Sequence, residues 1–324
     1  MINIQRILKG TVVAVALLGT TVSASAAKIA IVGGKADDPF FAIVKRGIDD
    51  AAKLVQARGG SVNYLALLTY DNIGPDAAQL IRTAVSQGVD GIAAPDWVPE
   101  AQDEAYKAAK AAGIPILLYN SGGSEKSKEL GSINYIGTED YVAGTAAGKY
   151  LADHKAKNVL CVNTVPGAAN LEARCKGIVE EVTKAGSKAA QLPLPATSFG
   201  DKTAVSEAIK ATLMKDDTVD AVVTMGNQDA DSAAIAIQQA GAADRVKLGS
   251  FNTDKAMLDR IKAGTQMFAV DQQGYLQGYL AVFMLASYVD YAMASLTVPI
   301  LTGPAIVDTS NVEATLKGVD AGVR

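Results

Sequence analysis

Histidine is nearly missing from this chain: 324 residues include one, His154, alongside two cysteines and one tryptophan. That shortage removes several chemistries. His154 falls at the end of an expected helix, in Leu151-Ala152-Asp153-His154-Lys155, where a cation complements the helix dipole. A Ser-His-Asp triad therefore has no well-placed base. Two cysteines and one histidine offer no zinc spacing, so no metal is expected. A phosphate-binding G-x-x-x-x-G-K-[ST] loop is absent, as is a G-x-G-x-x-G turn after a strand, so no nucleotide cofactor is expected either. A cationic surplus is also lacking: Lys and Arg number 30 against 34 Asp and Glu, for a net charge of −4. With no basic stripe, nucleic acid is excluded as a partner. Past the N-terminus no apolar run approaches the length of about 20 residues that spans a bilayer.

The N-terminus itself is informative. A basic start with Arg6 and Lys9, an apolar run over 11–18, and the small residues Ala24-Ser25-Ala26-Ala27 read as a secretory signal peptide over residues 1–26, cleaved after Ala26. No cysteine follows to take a lipid. The expected product is an exported, periplasmic protein over 27–324, long enough for two domains. In an oxidising compartment Cys161, in an expected strand, and Cys175, in the following helix, form either a disulfide or two buried thiols.

From Lys28 on, apolar runs alternate with segments of helical period. Strands are expected at 28–32, 61–68, 89–94 and 114–119, with helices at 41–57, 77–87 and 101–112. A second array has strands at 159–162, 221–224, 246–250 and 266–270, with helices at 171–185, 204–214, 230–240 and 255–263. A helix over 141–153, opened by Thr138-Glu139-Asp140, joins the two arrays, and a long apolar helix runs over 275–294. Strands without a polar face belong in parallel sheets covered on both sides. Two βα arrays give an α/β protein of two doubly wound, Rossmann-like lobes.

Ligands of such sheets bind beyond the carboxyl ends of the strands, so residues that follow each strand are the candidates. They are Asp38, Phe40 and Phe41; Asp96 and Trp97; Asn120; Glu172; Asn227; Asn252; and Gln272. Amides and carboxylates suit a ring of hydroxyls, and aromatic faces suit a sugar's C–H face. Phosphate or carboxylate ligands would call for arginines, and only Lys35 and Arg174 stand near. Taken singly, Asn227 and Thr253 could be helix caps, Phe41 a core residue and Trp97 surface packing. Recurrence of one residue class at strand after strand outweighs the single cases.

These residues resemble the type I periplasmic binding proteins of the ribose/galactose-binding group. The likeness rests on Asp38-Pro39-Phe40-Phe41, Ile114-Pro115, Gly226-Asn227-Gln228-Asp229, Gly249-Ser250-Phe251-Asn252 and Asp271-Gln272-Gln273, in that order along the chain. It implies a solute-binding protein that closes two lobes on a sugar or polyol and docks on an ABC importer's permease, as a monomer and without catalysis. It also implies three crossovers, near Thr138, Gln272 and Pro304, giving lobes 27–138 with 273–304 and 139–272 with 305–324. Phe199 resembles the second-lobe aromatic. Two positions depart from the family pattern: Asn120-Ser121 replaces an Asp-Arg pair, and Glu172 replaces an arginine, with Arg174 nearby. Both departures point away from ribose, toward a polyol, a cyclitol or a cationic sugar derivative. The competing class is a secreted glycoside hydrolase using Asp38, Asp96 or Glu172 as acid and base. A LacI-type regulator would need a helix-turn-helix where the signal peptide lies, and a chemoreceptor or kinase partner is compatible with transport.

Overall fold

The computed structural model describes residues 26–293 and 298–324, so the expected signal peptide lies outside the described residues apart from Ala26. The first lobe opens with β1 (Lys28–Gly33), α1 (Pro39–Gln56), β2 (Ser61–Ala66), α2 (Ile73–Ser86) and β3 (Gly91–Ala94). It continues through α3 (Pro99–Ala111), β4 (Ile116–Tyr119), α4 (Gly123–Leu130) and β5 (Tyr135–Thr138). The second lobe holds α5 (Asp140–Asp153), β6 (Asn158–Asn163), α6 (Ala169–Lys184), β7 (Lys188–Pro193) and α7 (Lys202–Lys215). After these come β8 (Ala221–Thr224), α8 (Asn227–Gln239), β9 (Lys247–Phe251), α9 (Lys255–Lys262) and β10 (Phe268–Asp271). Then α10 (Gly274–Tyr291) packs on α1. The chain ends with β11 (Ile300–Gly303), β12 (Ala305–Val307) and α11 (Val312–Asp320).

Two six-stranded sheets result, ordered β11-β5-β4-β3-β1-β2 and β12-β10-β9-β8-β6-β7. Pairing is parallel except for β12, which runs antiparallel to β10. The central strands β3, β4 and β8 are buried along their whole length, as strands covered on both faces must be. The chain passes between sheets after Thr138, after Asp271, and where β11 leads into β12. All three passages lie at the carboxyl ends of β5, β10 and β11, beside the cleft.

Local chemistry sets the helix starts that matter. Asp38 caps α1 by accepting from Phe40 N at 2.9 Å, with Pro39 in the first position, where its missing N–H costs nothing. The buried stripe Phe41, Val44, Ile48, Ala51 and Val55 follows at helical spacing. Each lobe also seats one helix pair through glycine. A Cβ on Gly278 would strike the Val44 carbonyl, and one on Gly144 the Arg174 carbonyl. The expected disulfide or free-thiol choice resolves as a bond, Cys161–Cys175, with Cα atoms 5.7 Å apart. It ties β6 to α6 inside the second lobe's core. Closing so short a loop is worth about 3 kcal/mol. Urea unfolding of a Cys161→Ala/Cys175→Ala protein should register that loss, and an unchanged midpoint would contradict it.

Candidate functional site

The two lobes face one another across a cleft lined by residues of both. Eight of the expected residues line it: Asp38, Phe40, Phe41, Trp97, Asn120, Phe199, Asn252 and Gln272. The aromatic wall belongs mainly to the first lobe. Phe40 and Phe41 meet edge-on at 5.3 Å, and Phe41 meets Trp97 edge-on at 5.7 Å. Trp97 is held by its backbone: its N–H donates to Gln102 Oε1 at 2.9 Å, and its carbonyl accepts from Ala169 N of the opposite lobe at 2.7 Å. Phe199 closes the rim from the second lobe, 4.6 Å from the Tyr70 ring.

Asn120 and Asn252 follow the fourth strand of each lobe and share one geometry. Both have left-handed backbones, φ 64° and 69°, a conformation asparagine tolerates better than most residues. Each N–H donates 2.9 Å to the neighbouring strand, Asn120 to the Ile136 carbonyl and Asn252 to the Val270 carbonyl. The two sheets thus present an amide at equivalent points on either side of the space. Gln272 Nε2 donates to Asn252 Oδ1 at 2.5 Å, and Arg174 donates to Gln272 Oε1 at 2.6 Å. Arg174 also grips Asp140 Oδ1 at 2.7 Å and lies 4.8 Å over the Phe251 ring. The expectation of two missing arginines therefore needs amending. Arg174 reaches the site, but with its charge matched by Asp140.

Carboxylates enter from both lobes. Asp38 accepts from the Tyr70 hydroxyl at 2.6 Å, and burial raises its pKa against that bond. Asp229 accepts from Thr164 Oγ1 at 2.8 Å. Burial is the main cause that pushes Asp229 up to about 7, with the charge of Asp38 across the cleft adding to it.

Three expected residues stand outside the lining. Asn227 is the first residue of α8, after an N-cap at Gly226, and is not in the lining. Its successors Gln228 and Asp229 line the space instead. Glu172 accepts from Asn163 Nδ2, Gly167 N and Gln191 Nε2, which spends its carboxylate on shaping the loop before α6. Asp96 is fully buried with neither carboxylate oxygen hydrogen-bonded. Burial, then the neighbouring Asp103, lifts it to about 7. A carboxyl with a raised pKa stabilises the fold below its ordinary range and loses that contribution as pH rises through about 7. Asp96→Asn should therefore gain about 1–3 kcal/mol over wild type near pH 8 and less near pH 5. Urea unfolding at the two pH values checks this, and no gain near pH 8 would refute it. His154 also lies apart, its Nδ1 against the Tyr150 carbonyl at 2.7 Å.

Tyr70 and Thr164 line the space although they were not among the strand-end candidates, and Asn170, Gln228 and Asp229, neighbours of the chosen candidates, line it as well. Of the run Gly226-Asn227-Gln228-Asp229, the members in the lining are Gly226, Gln228 and Asp229. Tyr70 follows the half-exposed edge strand β2 after a three-residue gap.

The model of the periplasmic binding protein domain matches residues 29–292. The chain belongs to this family. Among solved structures of the family's type, a carbohydrate transporter from Acidothermus cellulolyticus, in complex with myo-inositol, is 32% identical. It superposes with a TM-score of 0.82 over 92% of this chain and 100% of that one. The xylose/arabinose-binding protein of Sulfolobus acidocaldarius is 25% identical over 309 residues, covering 88% of this chain and 72% of that protein. A glucose-galactose binding protein from Geobacillus stearothermophilus, 21% identical, shares the fold with a TM-score of 0.76 over 88% of this chain and 98% of its own. The type I, two-lobed α/β architecture is thus shown.

Proposed function

We propose that this chain is the substrate-binding component of an ABC importer and that its cleft captures one polyhydroxylated ring, a cyclitol or monosaccharide. The observation that carries the reading is the convergence of amides and carboxylates from both lobes, with an aromatic wall, on one cleft. A ligand hydroxyl that bridges Asn120 or Asp38 to Asn252, Gln272 or Asp229 contacts both lobes only when they are together. It therefore selects the closed form that a permease can recognise. The 32% identical protein holding myo-inositol supports the cyclitol end of this class. A binding role without turnover agrees with the family. The hydrolase alternative loses Asp96 and Glu172, which do not reach the cleft.

Export with cleavage of the Ala26–Ala27 peptide bond would leave a free amine at Ala27, beside Asp290. Ala27 is buried, and its N–H donates to Asp290 Oδ1 at 2.8 Å. A cut at that bond converts this contact into an ion pair. Mass spectrometry of the exported protein should find Ala27 first.

A thermal-shift screen of the exported protein against sugars, polyols, cyclitols and amino acids tests the ligand class. Ligand at a hundred times its Kd adds about 2.7 kcal/mol, enough to raise the Tm by about 4 °C in a chain of this size. A shift with a polyol or sugar supports the reading. A shift confined to amino acids overturns it.

A further inference from the structure

Resting on the polyol reading, we propose that the cleft selects by charge, and that it takes rings in which one hydroxyl is replaced by a primary amine at least as well as their neutral parents. The ammonium would sit between Asp38 and Asp229, and rings bearing a carboxylate or phosphate would be refused. Asp38 and Asp229 bring two carboxylates from opposite lobes to one lining. Among the described residues the only cation in that lining, Arg174, is already matched by Asp140 at 2.7 Å. Lys35 stays outside it, at the rim, 3.5 Å from Asp37 and 5.6 Å from the Phe199 ring centre. The site therefore brings together two carboxyls that no cation among the described lining residues matches, and an arriving ammonium would favour their ionised forms.

Hydrogen bonding points the same way. Asp38 takes one donor on each oxygen, from Phe40 N and from the Tyr70 hydroxyl, while Asp229 takes one from Thr164 on Oδ2 alone. The side-chain carbonyl oxygens of Asn120, Asn170 and Gln228 are buried without a donor. An ammonium carries three donors and no acceptor, and its bonds to carboxylate are roughly twice as strong as neutral ones. A hydroxyl offers one donor and leaves the mutual repulsion of Asp38 and Asp229 unrelieved. A ligand carboxylate or phosphate adds a third negative charge to a site where burial already disfavours the first two.

Calorimetric titration of the exported protein tests this with three sets of probes. They are myo-inositol with glucose as neutral parents, a panel of monoamino-inositols with glucosamine, and glucuronate with inositol monophosphate. At least one amine should bind as tightly as its parent or more tightly, and neither acid should bind. In Asp229→Asn the amine-to-neutral affinity ratio should fall about tenfold or more, because the substitution removes charge but keeps an acceptor. Neutral binding with every amine more than tenfold weaker, or an acid binding like its parent, overturns the inference and leaves the polyol reading standing. Binding of none of the probes overturns both. An unchanged ratio in Asp229→Asn overturns the placement of the ammonium.

Discussion

Arg174→Ala should destabilise the protein by about 3–5 kcal/mol, the usual cost of removing one partner of a buried ion pair. Arg174 and Asp140 are almost wholly buried, at 2% and 8% exposure. Burial raises Asp140 to about 6 even with the guanidinium beside it. Without Arg174 the carboxyl would rise further and fold best when protonated. Its stabilising contribution would be present at acid pH and lost as pH climbs through that higher pKa. Urea unfolding should therefore show a deficit that widens from about pH 5 to about pH 8. A paired replacement, Arg174→Met with Asp140→Leu, should recover most of the loss, since a buried ion pair and apolar residues of similar volume are often equivalent. A deficit below about 1 kcal/mol, or one independent of pH, would contradict the assignment.

Gln272→Ala should weaken ligand binding by about a hundredfold while leaving the two lobes folded, and Asn252→Ala should behave alike. Gln272 stands where the chain leaves the second sheet for α10. It bonds Asn252 on one side and Arg174 on the other, and its carbonyl accepts from Gln277 Nε2 at 3.0 Å. Truncation removes a ligand partner and frees Asn252 from its fixed orientation. It also strips the guanidinium of one acceptor. Hydrogen bonds involving charged groups are worth about 1.5–3 kcal/mol, which sets the scale of the loss. Titration calorimetry measures the affinity, and circular dichroism melts report on the fold. Wild-type affinity in both variants would remove these residues from the site.

Much of this architecture could be read from residues because burial on both faces leaves a plain mark. The strands Gly91–Ala94, Ile116–Tyr119 and Ala221–Thr224 are continuous apolar runs. The edge strand Lys188–Pro193 alternates exposed and half-buried residues and ends in proline, and it left no such mark. The four residues of Tyr135–Thr138, one of them glycine, were too short a run to detect. At the site, the rule that ligands meet strand ends found the aromatic wall and the paired asparagines. It could not decide which residue of Gly226–Asp229 faces inward, because at a helix start a one-residue step turns a side chain by about 100°. Nor could it show that Glu172 would be spent on a loop or that Arg174 would find Asp140. Those outcomes depend on contacts between residues distant in sequence.

The most direct test of the account is a calorimetric titration of the exported protein with myo-inositol, repeated with the Asn252→Ala variant. A polyol-capturing cleft predicts saturable one-to-one binding with a Kd of about 1 μM or tighter, near −8 kcal/mol, weakened strongly in the variant, with the ligand recovered unchanged. Absence of binding to myo-inositol and to every neutral sugar tried, or chemical conversion of the ligand, would contradict it.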